Sequence, residues 1–286
     1  MRLYLLPIST RRTLIYCERL NILTQKDAGW LDKATVRASN LWASWEKKDS
    51  GWQKKVVQYG NQALKRIPYE EWGLKSIPPL STRRKSEELS GKENVEVCFP
   101  PTLIPEDKVM DVLRKLGKER QQLHKSRIFW SIVGMPIVAP FAIVPMYVAN
   151  TPGAVFLLTQ HCSIPNLPFF YLVFRAYSHW KALAGSKHLE FLLDNQLIKA
   201  KPSKILSELY ATGKQPFDHG PASGEDKMVL HASNAKRISE GLELPELNVE
   251  LDRAVWQVEK ALTDKKTLEE GKGKTDVTTT DRTKGK

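Results

Sequence analysis

The sequence predicts a mainly α membrane protein: amphipathic helices around a proline-kinked hydrophobic hairpin, with a small two-stranded β ribbon near the N-terminus. Three observations carry that expectation. The run Ile128 to Val148, IFWSIVGMPIVAPFAIVPMYV, holds no charged residue. A helix rising ~1.5 Å per residue needs about twenty apolar residues to span a hydrocarbon core, and this run is long enough. Basic residues crowd its entry (Lys115, Lys118, Arg120, Lys125, Arg127), and a second apolar stretch ends in Arg175, Lys181 and Lys187. Positive charge at both feet and none in the connection places both feet on one side.

The elements follow in order. In residues 1–80, Arg2 to Pro7 alternates like a strand closed by Pro7 and Ser9. A helical pattern then runs from Thr24 to Lys47, and a second from Trp52 to Arg66. The four tryptophans between Trp30 and Trp52 read either as packing between these helices or as anchors at a lipid interface. Pro68 to Pro79 is a short helix or turn framed by prolines. Residues 81–94 are charged and read as a solvated linker. In residues 95–127, VEVCF is a strand that pairs with the first one to form the ribbon, and Pro105 opens a helix with Glu106 and Asp107 at its positive end. Its stripe of Val109, Val112, Leu113, Leu116 and Leu123 opposes a basic face. That face suits anionic headgroups, with Lys115, Lys118, Lys125, Arg127 and Lys181 the candidate lipid contacts, or equally a solvated helix on the folded domain.

Residues 128–180 form the hairpin. Proline removes a backbone donor and crowds the preceding turn, so Pro136, Pro140, Pro145, Pro165 and Pro168 mark its kinks. Helices continue over 181–210. Residues 211–262 hold the linker GKQPFDHGPASG, a helix through Ile238 capped by Ser223 with Asp226, and a helix with Leu247, Leu251, Val255, Val258 and Leu262 on one side. The tail 263–286 lacks apolar periodicity and reads as disordered.

A net charge of +12 and a pI near 9.5 suit nucleic acid, an anionic membrane face or a basic mitochondrial protein. No zinc-finger spacing, recognition helix or RNA-recognition motif accompanies the charge, so no nucleic-acid partner is expected. Cys17, Cys98 and Cys162 are few, odd in number and far apart, which suggests neither a disulfide framework nor a zinc site. The first acid is Glu18, behind Arg2, Arg11 and Arg12. That bias resembles a mitochondrial presequence. A strand belonging to the folded domain explains the same residues, and both readings stay open.

The blocks MRLYLLPISTRRTLIYCERLN, WEKKDSGWQKKVVQYGNQALKRIPYEEWGLKSIPPL, VGMPIVAPFAIVP and IPNLPFFYLVFRAYSHWKALAGSKHLEFLL together resemble the fungal mitochondrial potassium-proton (K+/H+) exchange-related family, over Met1 to Tyr210. The resemblance implies the mitochondrial inner membrane, participation in electroneutral exchange of matrix potassium for protons, and hairpin feet on the matrix side. It assigns no residue a role. In the family pattern VP runs almost directly into IPNLPFF, whereas here residues 146–163 intervene. Met146-Tyr147-Val148 permits a splice donor GTATGT, Leu158-Thr159 a branch point CTGAC, and Ser163 an acceptor AG. Excision restores VPIIPNLPFF, so the segment reads as a retained in-frame intron, which sequencing the transcript tests.

A cation exchanger ordinarily keeps a carboxylate within the membrane. None lies between Glu119 and Glu190. Arg175 and His179, one turn apart at the end of the second apolar stretch, are the candidate pH-sensing or interfacial pair. No phosphate-cradling, dinucleotide, nucleophile-elbow or zincin motif is present, so neither an enzyme, a cofactor nor a metal is expected. Two functions remain: a component or regulator of potassium-proton exchange that needs a protein partner or oligomer, and a non-transporting membrane-anchored matrix scaffold or lipid-binding protein.

Overall fold

The computed structural model describes residues 1–18, 37, 40–42, 44–48, 50–91, 95–139, 167–211 and 226–281. It is mostly helical with one small mixed sheet. By internal packing the chain divides into two units. One comprises Met1–Trp72, Val95–Glu106 and Lys199–Lys286; the other comprises Gly73–Asn94 and Asp107–Ile198.

The first unit is built on the sheet. Strand β1 (Arg2–Pro7) pairs antiparallel with β2 (Thr13–Glu18) and parallel with β3 (Val95–Phe99), and β4 (Ile198–Pro202) completes the order β2-β1-β3-β4. The predicted two-stranded ribbon is therefore corrected to four strands. An inner strand is covered on both faces, which is why Leu3, Tyr4, Leu5 and Leu6 are all buried rather than alternating. Arg2 closes the end of β1 with Glu18 at 3.2 Å and Glu96 at 3.8 Å. Burial pushes the Tyr4 phenol up to about 12, so it stays a neutral donor to Glu18 Oε2 at 3.0 Å.

Residues 40–42 and 44–46 are helical and precede α1 (Trp52–Lys65). The Trp42 ring lies where a Cβ on Gly60 would sit, so this tryptophan is packed between helical segments, as one of the two tryptophan readings holds. Helix α2 (Tyr69–Ser76) follows Pro68, with Glu70 and Glu71 at its positive end and Lys75 at its negative end. One sheet face joins Tyr4, Leu6, Leu14 and Cys98 to the helices α7 (Lys204–Ala211), α8 (Ala232–Gly241) and α9 (Pro245–Asp281). The stripe Leu247, Leu251, Val255 and Val258 is fully buried, and Tyr210 donates its hydroxyl to the Pro7 carbonyl at 3.0 Å. The side chain of Gln257 uses its whole amide: Nε2 donates to the Lys65 and Ile67 carbonyls at 2.8 Å each, and Oε1 accepts from Tyr69 N–H at 3.0 Å. It thereby fixes the turn between α1 and α2. Helix α9 runs on past its stripe to Asp281. Asp226, read as part of a helix cap, instead pairs with Arg12 at 3.2 Å.

In the second unit, α3 (Thr82–Leu89) replaces the linker expected over 81–94; Ser81 caps it by accepting from the Arg84 N–H at 3.2 Å. Helix α4 (Glu106–Lys118) buries Val109, Leu113 and Gly117, and α5 (Gln121–Val138) begins after a break at Arg120. Helix α6 (Leu167–Asp194) is continuous for 28 residues and packs along α5. Pro168 lies in its first turn, where no donor is missed, and Pro136 lies in the last turn of α5; Pro140, Pro145 and Pro165 lie outside the described residues, as does the insertion read over 146–163.

The expectation of a membrane-spanning hairpin is not met. Among the described residues, no helix is long and apolar enough to cross a membrane. Lys125 and Arg127 occupy the first half of α5, and Arg175, His179, Lys181 and Lys187 interrupt α6. Hydropathy averaged along Ile128 to Val148 does not register that α5 starts at Gln121 and carries these cations into the same helix.

Candidate functional site

The second unit concentrates its buried polar groups on the facing sides of α5 and α6. His124 and Ser131 stand two turns apart on α5, on the side from which Gly134 also faces Leu172 of α6. On α6 the buried polar residues are Ser178, His179, Ser186 and His188, and of these His179 meets His124. Both imidazoles of the central pair are almost wholly buried, His124 at 1% and His179 at 3% exposure.

Their hydrogen bonding follows from donor inventory. Arg175, one turn before His179, sets its Nη2 2.8 Å from His179 Nε2. A guanidinium only donates, so His179 Nε2 accepts and the proton of the neutral ring sits on Nδ1. The two Nδ1 atoms are 3.0 Å apart, with the ring planes tilted by 44°. His179 Nδ1–H therefore donates to His124 Nδ1, and His124 carries its own proton on Nε2. In this assignment each ring holds one proton, and the tautomers follow from the Arg175 contact.

A further proton has no neutral berth in this arrangement. On His179 Nε2 it would point at the guanidinium. On His124 Nδ1 it would set two N–H groups against each other at 3.0 Å. Either uptake breaks a buried hydrogen bond, and burial prevents water from replacing it. Uptake of a proton by either ring is therefore opposed in this arrangement.

Beside the pair, buried Lys75 donates to Ser178 Oγ at 2.9 Å and lies 6.0 Å above the Phe174 ring. Farther along α6, His188 presents Nδ1 to the Pro78 carbonyl at 2.7 Å and Nε2 to both Glu88 oxygens at 2.9 Å, with both side chains fully buried. Toward the α4 end of α6, Ser186 donates to the Gly117 carbonyl at 2.5 Å, and Glu190 accepts from Gln121 at 3.1 Å and pairs with Lys118 at 3.3 Å. The Gln121 hydrogen bond holds the Glu190 carboxyl below its usual range, with Lys118 adding to the effect.

Of the residues singled out from sequence, Arg175 and His179 do come together, while Lys115, Lys125 and Arg127 are exposed and Lys118 is tied to Glu190. Lys181 stacks over Tyr177 at 5.8 Å. Sequence reasoning missed His124, Lys75 and the Glu88–His188 pair. The spacing His124, Ser131, Val138 was the available signal, because a repeat of seven returns each residue to one helix face.

The sequence profile of the family described as mitochondrial K+-H+ exchange-related matches residues 2–159 and 162–193, a match that includes all of 146–163 except residues 160 and 161. An uncharacterized protein of Schizosaccharomyces pombe is 27% identical over 231 residues, covering 81% of this chain and 90% of its own length. An uncharacterized protein of Saccharomyces cerevisiae is 24% identical over 290 residues, covering 91% and 85%. No solved structure matches the chain significantly. With the family profile spanning β1 to β3 and the α5–α6 pair, the chain belongs to the mitochondrial K+-H+ exchange-related family.

Proposed function

We propose that this chain is a proton-sensing component of mitochondrial potassium-proton exchange, working at the matrix face of the inner membrane with a protein partner that supplies the ion pathway. The observation that carries the reading is the buried His124–His179 pair held in fixed tautomers by Arg175. Histidine is the side chain whose ordinary titration lies in the physiological range. Matrix pH is the variable such an exchanger changes, so a proton-coupled shift of α5 against α6 gives feedback on its own product. Within this unit the charged groups near the pair are Arg175 on α6, Arg120 just before α5, Arg127 on α5 one turn after His124, and Lys75.

Potassium-acetate swelling of mitochondria tests this, using Saccharomyces cerevisiae lacking its relative and complemented with this chain. The wild type is expected to restore a pH-dependent rate, and His179→Gln or His124→Gln to flatten the pH profile at equal protein level. An unchanged profile removes the pair from the mechanism. A second reading, a non-transporting scaffold at the membrane, is favoured by the absence of any carboxylate between Glu119 and Glu190. Purified chain in potassium-loaded vesicles tests both readings at once, since exchange without a partner would contradict each of them, and the pH profile of swelling separates the two.

A further inference from the structure

The outer surface of the α5–α6 pair is inverted relative to a water-facing helical hairpin. Toward α6, α5 turns His124, Ser131 and Gly134; away from it, α5 exposes Phe129, Trp130, Ile132 and Ile137, each by more than half. Helix α6 does the same at the same end with Phe170 and Tyr171. Soluble helices place polar groups on the outer arc, and a contiguous apolar surface of this kind marks a partner.

Charge says which partner. From Gln121 to Val138 and from Leu167 to Leu189 the two helices carry Lys125, Arg127, Arg175, Lys181 and Lys187 and no carboxylate. The exposed cations Lys125 and Arg127 stand directly before the apolar segment of α5, and Lys181 lies beyond that of α6, beside Tyr177 and the half-exposed Trp180. The order is thus apolar end, aromatic belt, cationic collar. That is the sequence of environments from acyl chains through the interface to anionic headgroups. Phe129 to Val138 on α5 is ten residues, about 15 Å of helix at ~1.5 Å each, and the uncharged run continues in sequence to Val148.

We infer that the exposed apolar face of the α5–α6 pair docks on an anionic bilayer, with Lys125, Arg127 and Lys181 seated on the phosphates. The inference deepens the membrane-face location proposed above and rests on it only for which membrane is met. Its test is independent of exchange.

Full-length chain is floated with vesicles of phosphatidylcholine alone or mixed with phosphatidylglycerol. The wild type is expected to float with the anionic vesicles. Replacing Lys125→Ala with Arg127→Ala should weaken that binding about 25-fold, at about fivefold per cation, and leave the weak binding to neutral vesicles unchanged. Ile132→Glu with Ile137→Glu should lose binding to both by at least about tenfold. In case the glutamate variant does not fold, Trp130→Phe supplies the second measurement: brominated lipid should quench a component of tryptophan fluorescence that this variant lacks. Wild-type chain that stays unbound, a glutamate variant that folds by circular dichroism and floats as the wild type does, or quenching indifferent to Trp130 overturns the inference. So does a dimer that the isoleucine substitutions dissolve while vesicle binding persists unchanged, since that face then belongs to a second copy. A pH profile left unchanged by the histidine substitutions alongside normal flotation shows that the sensing proposal has failed, and a flattened profile with wild-type chain that does not float shows that this inference has.

Discussion

Removing the Glu88 side chain is expected to destabilise the second unit by about 3–5 kcal/mol, the usual cost of breaking a buried pair. The figure can be built from the contacts. The Pro78 carbonyl can only accept, so His188 Nδ1 bears a proton, and a second proton is shared between Nε2 and the Glu88 carboxyl, 2.9 Å from each oxygen. In Glu88→Ala the ring either keeps a charge with no counterion or turns neutral and leaves the Nε2 lone pair unsatisfied, which costs about 1–3 kcal/mol. The one buried methylene lost adds ~0.8 kcal/mol, and the cavity left by it and the carboxylate adds about 1 kcal/mol more. Glu88→Gln keeps the shape, and its amide donates to Nε2 of a neutral ring, so only about 1 kcal/mol should be lost. Urea unfolding should show the midpoint falling steeply for Ala and slightly for Gln, with unchanged slope. An alanine variant within ~0.5 kcal/mol of wild type, or a glutamine variant as damaged as alanine, would refute this account of the pair.

Three more outcomes follow from single contacts. A Cβ on Gly185 would run into the Leu74 carbonyl and crowd that of Ile77, backbone that cannot step aside, so Gly185→Ala should cost about 1–3 kcal/mol or more in the same urea assay. Gln257→Glu keeps the volume but cannot donate to the Lys65 and Ile67 carbonyls, so it should lose about 2 kcal/mol and speed amide exchange at Tyr69; Gln257→Leu should do at least as much. Because Gln121 holds Glu190 below the ordinary carboxylate range, that hydrogen bond stabilises the fold above the free-carboxylate range and the contribution disappears as pH falls through the lowered value. Gln121→Ala should move the Glu190 titration upward by NMR and lower stability at neutral pH, and the difference from wild type should vanish in acid.

Local pattern carried part of this fold. The stripe of α9, the proline and acidic start of α4, and the alternation of β1 are short-range signals, and each marks an element that forms. The partners of β1 were harder, because parallel pairing with Val95–Phe99 is a long-range choice, and β4, reading IKAKP, hides two strand positions behind lysines. Helix α3 is nearly all polar, and its buried residue is a glutamate whose reason for burial, His188, lies a hundred residues on. In α6 the charge of Arg175 looked like the end of an apolar run. It is instead directed at His179 within one unbroken helix, and that pair was half of the site. The other half, His124, belongs to another helix, and one-dimensional hydropathy cannot bring them together.

The sheet has a consequence for how the chain must be handled before it is finished. Its middle strand is residues 2–7, yet β3 begins at Val95, β4 at Ile198 and the helix that covers one face at Pro245. A chain delivered N-terminus first, from a ribosome or through an import pore, presents β1 and β2 as a bare antiparallel hairpin apolar on both sides, and such a ribbon is marginal in water and prone to sticking. Most of the second unit arrives in one run, Asp107–Ile198, well before those two strands can be covered. The opening residues therefore need a chaperone longest, and a protease that cut after Arg12 would remove not a dispensable leader but the strand on which the sheet is assembled.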